Sequence, residues 1–344
     1  MTVSHLFHLN EAHTRLTEWG KRIIANKRNF PVLQGMSFYR LILYPNGIRE
    51  PHWHANADEL GYCLTGKVLI SLYETGNVKK KFIVNQGEAF LISSGTLHSI
   101  ENMSEEASDL ILQFSHEEPE DFALSSTFGM FTDAVLGNTW GVASDYFKPL
   151  LRSTEEVLIT LRKGNHLVPR SAFYPSPNRF NLDQTPPLIT RDGGSAKLAR
   201  QSVWPALKNQ AIYSLELKGT GMREPHWHPE TAELGFVRKG KGRMSILSPK
   251  GCVDTYEMNE GDIYFIPKAY PHHIENLTEE TLHLLIFFDQ PMPGDIGLTG
   301  SVKSFSNEVL DSTLSAPPNF FTDLPTYYED LFIVDKVNPL DRLL

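Results

Sequence analysis

The sequence predicts an all-β protein made of two tandem copies of one small barrel. Two observations carry this expectation: a long internal repeat and a dense series of short strand-like runs. Residues 47–66 read GIREPHWHANADELGYCLTG and residues 221–240 read GMREPHWHPETAELGFVRKG, an offset of 174. The stretches GEAFLISSGTLHSIEN from Gly87 and GDIYFIPKAYPHHIEN from Gly261 repeat at the same offset, so no net insertion separates the two motifs in either copy.

Taken in order, the first copy begins near residue 5, because Phe7 and Leu9 resemble Phe180 and Leu182 at an offset of 173. Its strand-like runs are Met36 to Leu43, Tyr62 to Leu72, Lys81 to Val84 and Ala89 to Ile92, punctuated by Gly, Pro and Asn. Ala211 to Leu217, Leu234 to Val237, Gly242 to Leu247, Ile263 to Ile266 and Thr281 to Phe288 continue the pattern in the second copy. Helix signals fall at the N-terminus and after each barrel, where Phe131, Val135, Leu136 and Thr139 match Phe305, Val309, Leu310 and Thr313. The join NHLVPRSAFYPSPNRF carries three prolines and suits an extended connection whose end can pair as an edge strand. The expected division is a first barrel over 1–160, a linker over 161–178, a second barrel over 179–325 and a tail over 326–344.

Bulk properties narrow the class. The 344 residues are 41% hydrophobic and 21% charged, which allows full cores and excludes wholesale disorder. A net charge of −9 repels polyphosphates, so no nucleic-acid partner is expected. Cys63 and Cys252 lie in strand-like runs without metal or disulfide spacing and read as buried thiols. With no leader pattern at the start and no run of apolar residues long enough to span a bilayer, the expectation is a cytoplasmic protein without a membrane partner.

Strand alternation in His52-x-His54 puts two imidazoles on one face with Trp53 on the other. Glu59 and His98 follow from neighbouring runs, and the equivalents 174 residues on are His226, His228, Glu233 and His272. Three imidazoles and a carboxylate suit a divalent metal in each barrel, and the residue types leave Mn, Fe, Ni, Zn and Cu open. The remaining histidines, His5, His8, His13, His116, His166, His273 and His283, have no such pairing and read as structural or exposed.

The spacing G-x(4)-H-x-H-x(4)-E-x(6)-G, then G-x(5)-[SP]-x-[GA]-x(2)-H-x(3)-N, resembles the two signature motifs of the cupin superfamily, whose fold is a small β-barrel or jelly roll. Among two-barrel cupins, REPHWH in both copies and PKAYPHHIEN in the second are similar to the oxalate decarboxylase family. The resemblance spans roughly residues 5–315 and implies Mn first and Fe second as the metal. It further implies a small carboxylate substrate, dioxygen as a partner, and assembly into a homo-oligomer.

The resemblance also implies that Arg49 and Arg223 hold the substrate carboxylate. A flat strand would put each on the face opposite the metal histidine three residues later, but Pro51 and Pro225 suggest a bulge. The competing reading pairs the arginines structurally with Glu50 or Glu224. In the family a lid glutamate donates the proton for decarboxylation; alignment of FALSSTF places Leu124 there, and a second-barrel acid falls at Ile286. Asp121, just upstream in an acidic run, is the candidate replacement. Since a positioned acid contributes about 10²- to 10⁴-fold, the chemistry expected is either decarboxylation with another acid or a Mn- or Fe-dependent oxidase or dioxygenase reaction on a small carboxylate. A binding or sensing module with structural metals is the non-enzymatic alternative, and an oxygen-independent isomerase or hydrolase is a third.

Overall fold

The computed structural model describes residues 4–165, 168–327 and 329–340. It is mainly β, with two compact units. The first unit in functional order comprises 12–29 and 35–181; the second comprises the described residues of 1–11, 30–34 and 182–344. These are the first and second barrels.

In the first barrel a seven-stranded and a six-stranded antiparallel sheet enclose one apolar core. The seven-stranded sheet includes Gly20–Ala25, Ser37–Leu43, Glu59–Thr65, Glu88–Ile92 and Ser108–Phe114; the other includes Gly47–His54, Lys67–Glu74, Val78–Asn85 and Leu97–Asn102. Alternation of β-branched and aromatic residues sends Val68, Ile70, Leu72, Phe82 and Val84 inward from the six-stranded sheet against Leu41, Cys63, Phe90 and Leu112 from its partner. Gly66, at φ 86°, makes the left-handed turn between Glu59–Thr65 and Lys67–Glu74, which explains the glycine ending the first motif. The second barrel repeats the plan with Ala211–Leu217, Glu233–Lys239, Ile263–Ile266 and Leu282–Phe288 facing Gly221–Trp227, Gly242–Ser248 and His272–Asn276.

The opening strand of each repeat belongs to the other copy's barrel. Leu6–Phe7 pairs with Ile263–Ile266 (Leu6 opposite Tyr264) in the second barrel, whereas Arg179–Asn181, the end of the join, pairs with Glu88–Ile92 in the first. The edge-strand expectation for the join therefore holds.

Helix at the N-terminus does not. Apart from a single turn at Leu9–Glu11, the segment folds as a hairpin of Thr14–Thr17 and Gly20–Ala25, in which Gly20 sits opposite Leu43 of the next strand with no room for a side chain. Its β-branched Thr14, Thr17, Ile23 and Ile24 favour that pairing over a helix. The expected helices after each barrel are present as Leu124–Met130 with Asp133–Trp140, and Leu298–Val302 with Asn307–Leu314; Thr132 and Ser306 cap the longer ones at the N-terminus. In the tail, Ile333–Asp335 adds to Gly221–Trp227 of its own barrel, as Ile159–Leu161 does to Gly47–His54.

Cys63 is buried, but Cys252 is only half-buried at the start of its strand; both are free thiols. Among the described residues no helix is long and apolar enough to cross a membrane.

Candidate metal centre

The site in each barrel is set by register. His98 lies opposite His52, which puts it beside the His52–His54 pair on one sheet, while Glu59 reaches across from the facing sheet. The ligand-type atoms of His52, His54, Glu59 and His98 all lie within 4.8 Å of one another, as do those of His226, His228, Glu233 and His272, and all eight residues are buried. These are two three-histidine, one-glutamate metal sites.

Every imidazole is anchored through Nδ1, which leaves Nε2 for the centre. His52 Nδ1 donates to the Glu50 carbonyl and His98 Nδ1 to the Thr96 carbonyl, both at 2.8 Å. His226 and His272 bond the Glu224 and Tyr270 carbonyls at 2.8 and 2.9 Å. His54 Nδ1 donates to Asp121 at 2.7 Å, and His228 Nδ1 to Asp295 at 2.8 Å. Such outer partners fix tautomer and ring orientation in metal sites. The fit to a cation is shown by what is left over: Nε2 of His98 and of His272 and Oε1 of Glu59 are buried without a hydrogen-bond partner. Buried polar atoms are ordinarily satisfied, and a divalent ion bound by imidazole nitrogens and a carboxylate would satisfy these.

Electrostatics divides the ligands by role. Desolvation, then the nearby Arg49, pushes His52 well below the usual histidine range; desolvation and Arg223 do the same to His226. His54 and His228 go the other way: against the cost of burial, bonds to Asp121 and Glu59 raise His54, and bonds to Asp295 and Glu233 raise His228 to about 9. Burial alone would raise Glu59, but the bond from His54 and the nearness of His98 hold it at about 2.

The arginine strands are bulged. Between His52 and Arg49 the pairing slips by a residue (His98 opposite His52, Ile100 opposite Arg49), and the second barrel shows the same shift between Arg223 and His226. The slip turns Arg49 and Arg223 to the histidine side, where each is 3% exposed. Neither pairs with the neighbouring glutamate. Glu50 instead accepts from the Leu158 and Ser125 amides, and Glu224 from Thr299 and the Phe332 amide. Arg49 faces Asp121 at 3.4 Å and Glu156 at 3.6 Å, and Arg223 bonds Asp295.

Other residues emerge only from the fold. Asp121 is a candidate from its acidic run; its counterpart Asp295, 174 residues on, is not singled out by the motifs and is found by its bond to His228. Tyr264 donates to Glu233 Oε1 at 2.7 Å, whereas the matching residue in the first barrel is Phe90. Leu124 heads the helix Leu124–Met130 and Ile286 belongs to the second core. Of the unpaired histidines, His5, His8, His116, His273 and His283 make structural bonds, His13 is exposed, and His166 lies outside the described residues.

Two facing antiparallel sheets with a buried three-histidine, one-glutamate cluster, repeated in tandem, define a two-barrel metalloprotein. The cupin family's profile matches residues 7–146 and 180–320, and the chain belongs to that family. Within it, the chain resembles oxalate decarboxylases: it is 27% identical over 307 residues to oxalate decarboxylase OxdC of Bacillus subtilis (strain 168), covering 86% of this chain and 78% of that protein. A shorter match, 30% identical over 88 residues, links 25% of this chain to 39% of oxalate oxidase GF-2.8 of Triticum aestivum. The structure of the Bacillus subtilis oxalate decarboxylase at pH 4.6 superposes with TM-score 0.85 at 23% identity, covering 98% of this chain and 88% of that one. A further structure of that decarboxylase, a protein with Mn(II) centres, superposes with TM-score 0.84.

Proposed function

We propose that the chain is a Mn-dependent enzyme of oxalate decarboxylase-like type acting on a small carboxylate. The observation that carries the reading is a buried guanidinium, Arg49 or Arg223, on the same face of a bulged strand as the metal histidines. A guanidinium forms short, charge-assisted, often bidentate bonds with a carboxylate. The metal, Mn in the Bacillus decarboxylase and Fe as the second candidate here, supplies Lewis acidity and electron transfer with dioxygen.

The chain's own residues bind and orient. Arg49 or Arg223 holds the substrate carboxylate, and Asp121 and Asp295 keep His54 and His228 turned so that Nε2 faces the centre. Ile100, Leu112 and Phe114 wall the first site and exclude water. Bonded to both His54 and Arg22, Asp121 is placed to orient a ligand rather than to deliver a proton.

Leu124 and Ile286 cannot exchange protons, and this favours a second reading in which oxalate and dioxygen give carbon dioxide and hydrogen peroxide instead of formate and carbon dioxide. ¹³C NMR of labelled oxalate, with Mn-loaded, air-equilibrated protein at mildly acidic pH and a His52→Ala, His226→Ala double variant as control, tests both. Labelled formate from the intact protein alone supports decarboxylation, labelled carbon dioxide without formate supports oxidation, and unchanged oxalate removes oxalate as the substrate.

A further inference from the structure

The first barrel carries a second buried arginine that motif comparison does not single out. Arg22, on Gly20–Ala25, is 8% exposed and lines the small cavity that also contains Tyr39, Arg49, His52, His54 and Glu59. Its Nη1 donates to Asp121 Oδ2 at 2.9 Å, the atom that Arg49 Nη2 faces at 3.4 Å. The same two guanidinium groups meet again on Glu156, with Arg22 at 3.3 Å and Arg49 at 3.6 Å. Two cations thus share two carboxylates.

The carboxylates are not equivalent. Asp121 is committed to the metal histidine His54. Glu156 touches no metal ligand, lies in a segment without regular structure just before Ile159–Leu161, and is held from outside by Arg15. Arg22 Nε and Glu156 Oε2 are both buried without a hydrogen-bond partner, so the contact leaves bonding capacity unused on each side. The cavity that these arginines line measures only about 10 Å³, too little for a dicarboxylate unless groups around it move.

The second barrel lacks this arrangement. Ala196 stands at the position of Arg22 and Asp330 at that of Glu156. The Phe332 ring lies 3.6 Å from the Arg223 guanidinium carbon and covers that face, where the first barrel has Leu158. Another arginine there, Arg200, bonds Tyr213.

We infer that in the first barrel Arg22 joins Arg49 in clamping the dicarboxylate, and that Glu156 is a resident carboxylate which the substrate displaces. One substrate carboxylate takes the place of Glu156 between the two guanidinium groups, and the other points to the metal histidines. Arg22 is then what separates dianions from monoanions. The inference rests on the carboxylate reading above and adds the second arginine and the exchange.

Calorimetric titration of the full-length Mn-loaded protein with oxalate, malonate and acetate tests it, with metal content checked for every variant. Arg22→Gln is expected to weaken oxalate and malonate by about 10- to 100-fold, the worth of charged hydrogen bonds, and to change acetate far less. Glu156→Gln is expected to tighten both dianions several-fold, because it raises the fraction of protein with an open clamp; a gain of affinity is not a consequence of misfolding. If the wild type binds oxalate and neither substitution changes its affinity, the clamp is wrong and the carboxylate reading stands. If wild type and Glu156→Gln bind none of the three anions, both fall.

Discussion

At the scale of single residues, the site is governed by which imidazole nitrogen is tied up. Because all six cluster histidines spend Nδ1 on a carbonyl or an aspartate, their Nε2 atoms converge. Replacing His52 or His226 by alanine should therefore remove one metal per chain and leave the other barrel's metal in place, as measured by elemental analysis; unchanged content would contradict the assignment. A pH effect follows as well. His228 sits at about 9 before a metal binds, so at pH 7 it carries a proton that Nε2 must release, while His226, held low, has none to lose. Metal binding to the second barrel at pH 7 should thus release about one proton, and the release should vanish as pH rises above 9. Calorimetry in buffers of different ionisation enthalpy reads this directly, and a buffer-independent enthalpy at pH 7 would count against it.

At the scale of strands, the decisive feature is the bulge that brings Arg49 and Arg223 round to the histidines. Pro51 and Pro225 made it legible in the sequence, since proline in a strand marks a place where the ladder is interrupted. What the strand could not reveal was the arginine's partner: Asp121 lies some seventy residues on, and its acidic run looks like a solvated surface. Close packing behind the ligands is equally specific. A Cβ on Gly61 would lie 2.1 Å from the buried Phe90 ring, two residues along the strand from Glu59. Gly61→Ala should cost about 1–3 kcal/mol by overpacking and loosen metal in the first barrel. Denaturant unfolding checks the first effect and metal retention the second.

For the whole molecule, the repeat made the duplication, both quartets and the helices after each barrel readable, because identical chemistry recurs at one fixed offset. The exchange of opening strands was not readable. Leu6 meets Tyr264 through backbone bonds that carry no local sequence signal, and the hairpin that follows was masked by residues compatible with a helix. This exchange gives the N-terminus a distant consequence. Deleting residues 1–11 removes the fully buried Leu9 and an edge strand of the second barrel. By analogy with core leucine truncation, that barrel should lose at least about 2–3 kcal/mol, and on heating its metal should leave before that of the first.

The proposed function requires a carboxylate to enter beside a metal held by three histidines and a glutamate. Electron paramagnetic resonance of the fully Mn-loaded protein during an oxalate titration tests it most directly. Part of the Mn(II) signal, that of the first barrel, should change with saturable dependence on oxalate, and the His52→Ala variant should lose the change. A spectrum indifferent to oxalate at every concentration would contradict it.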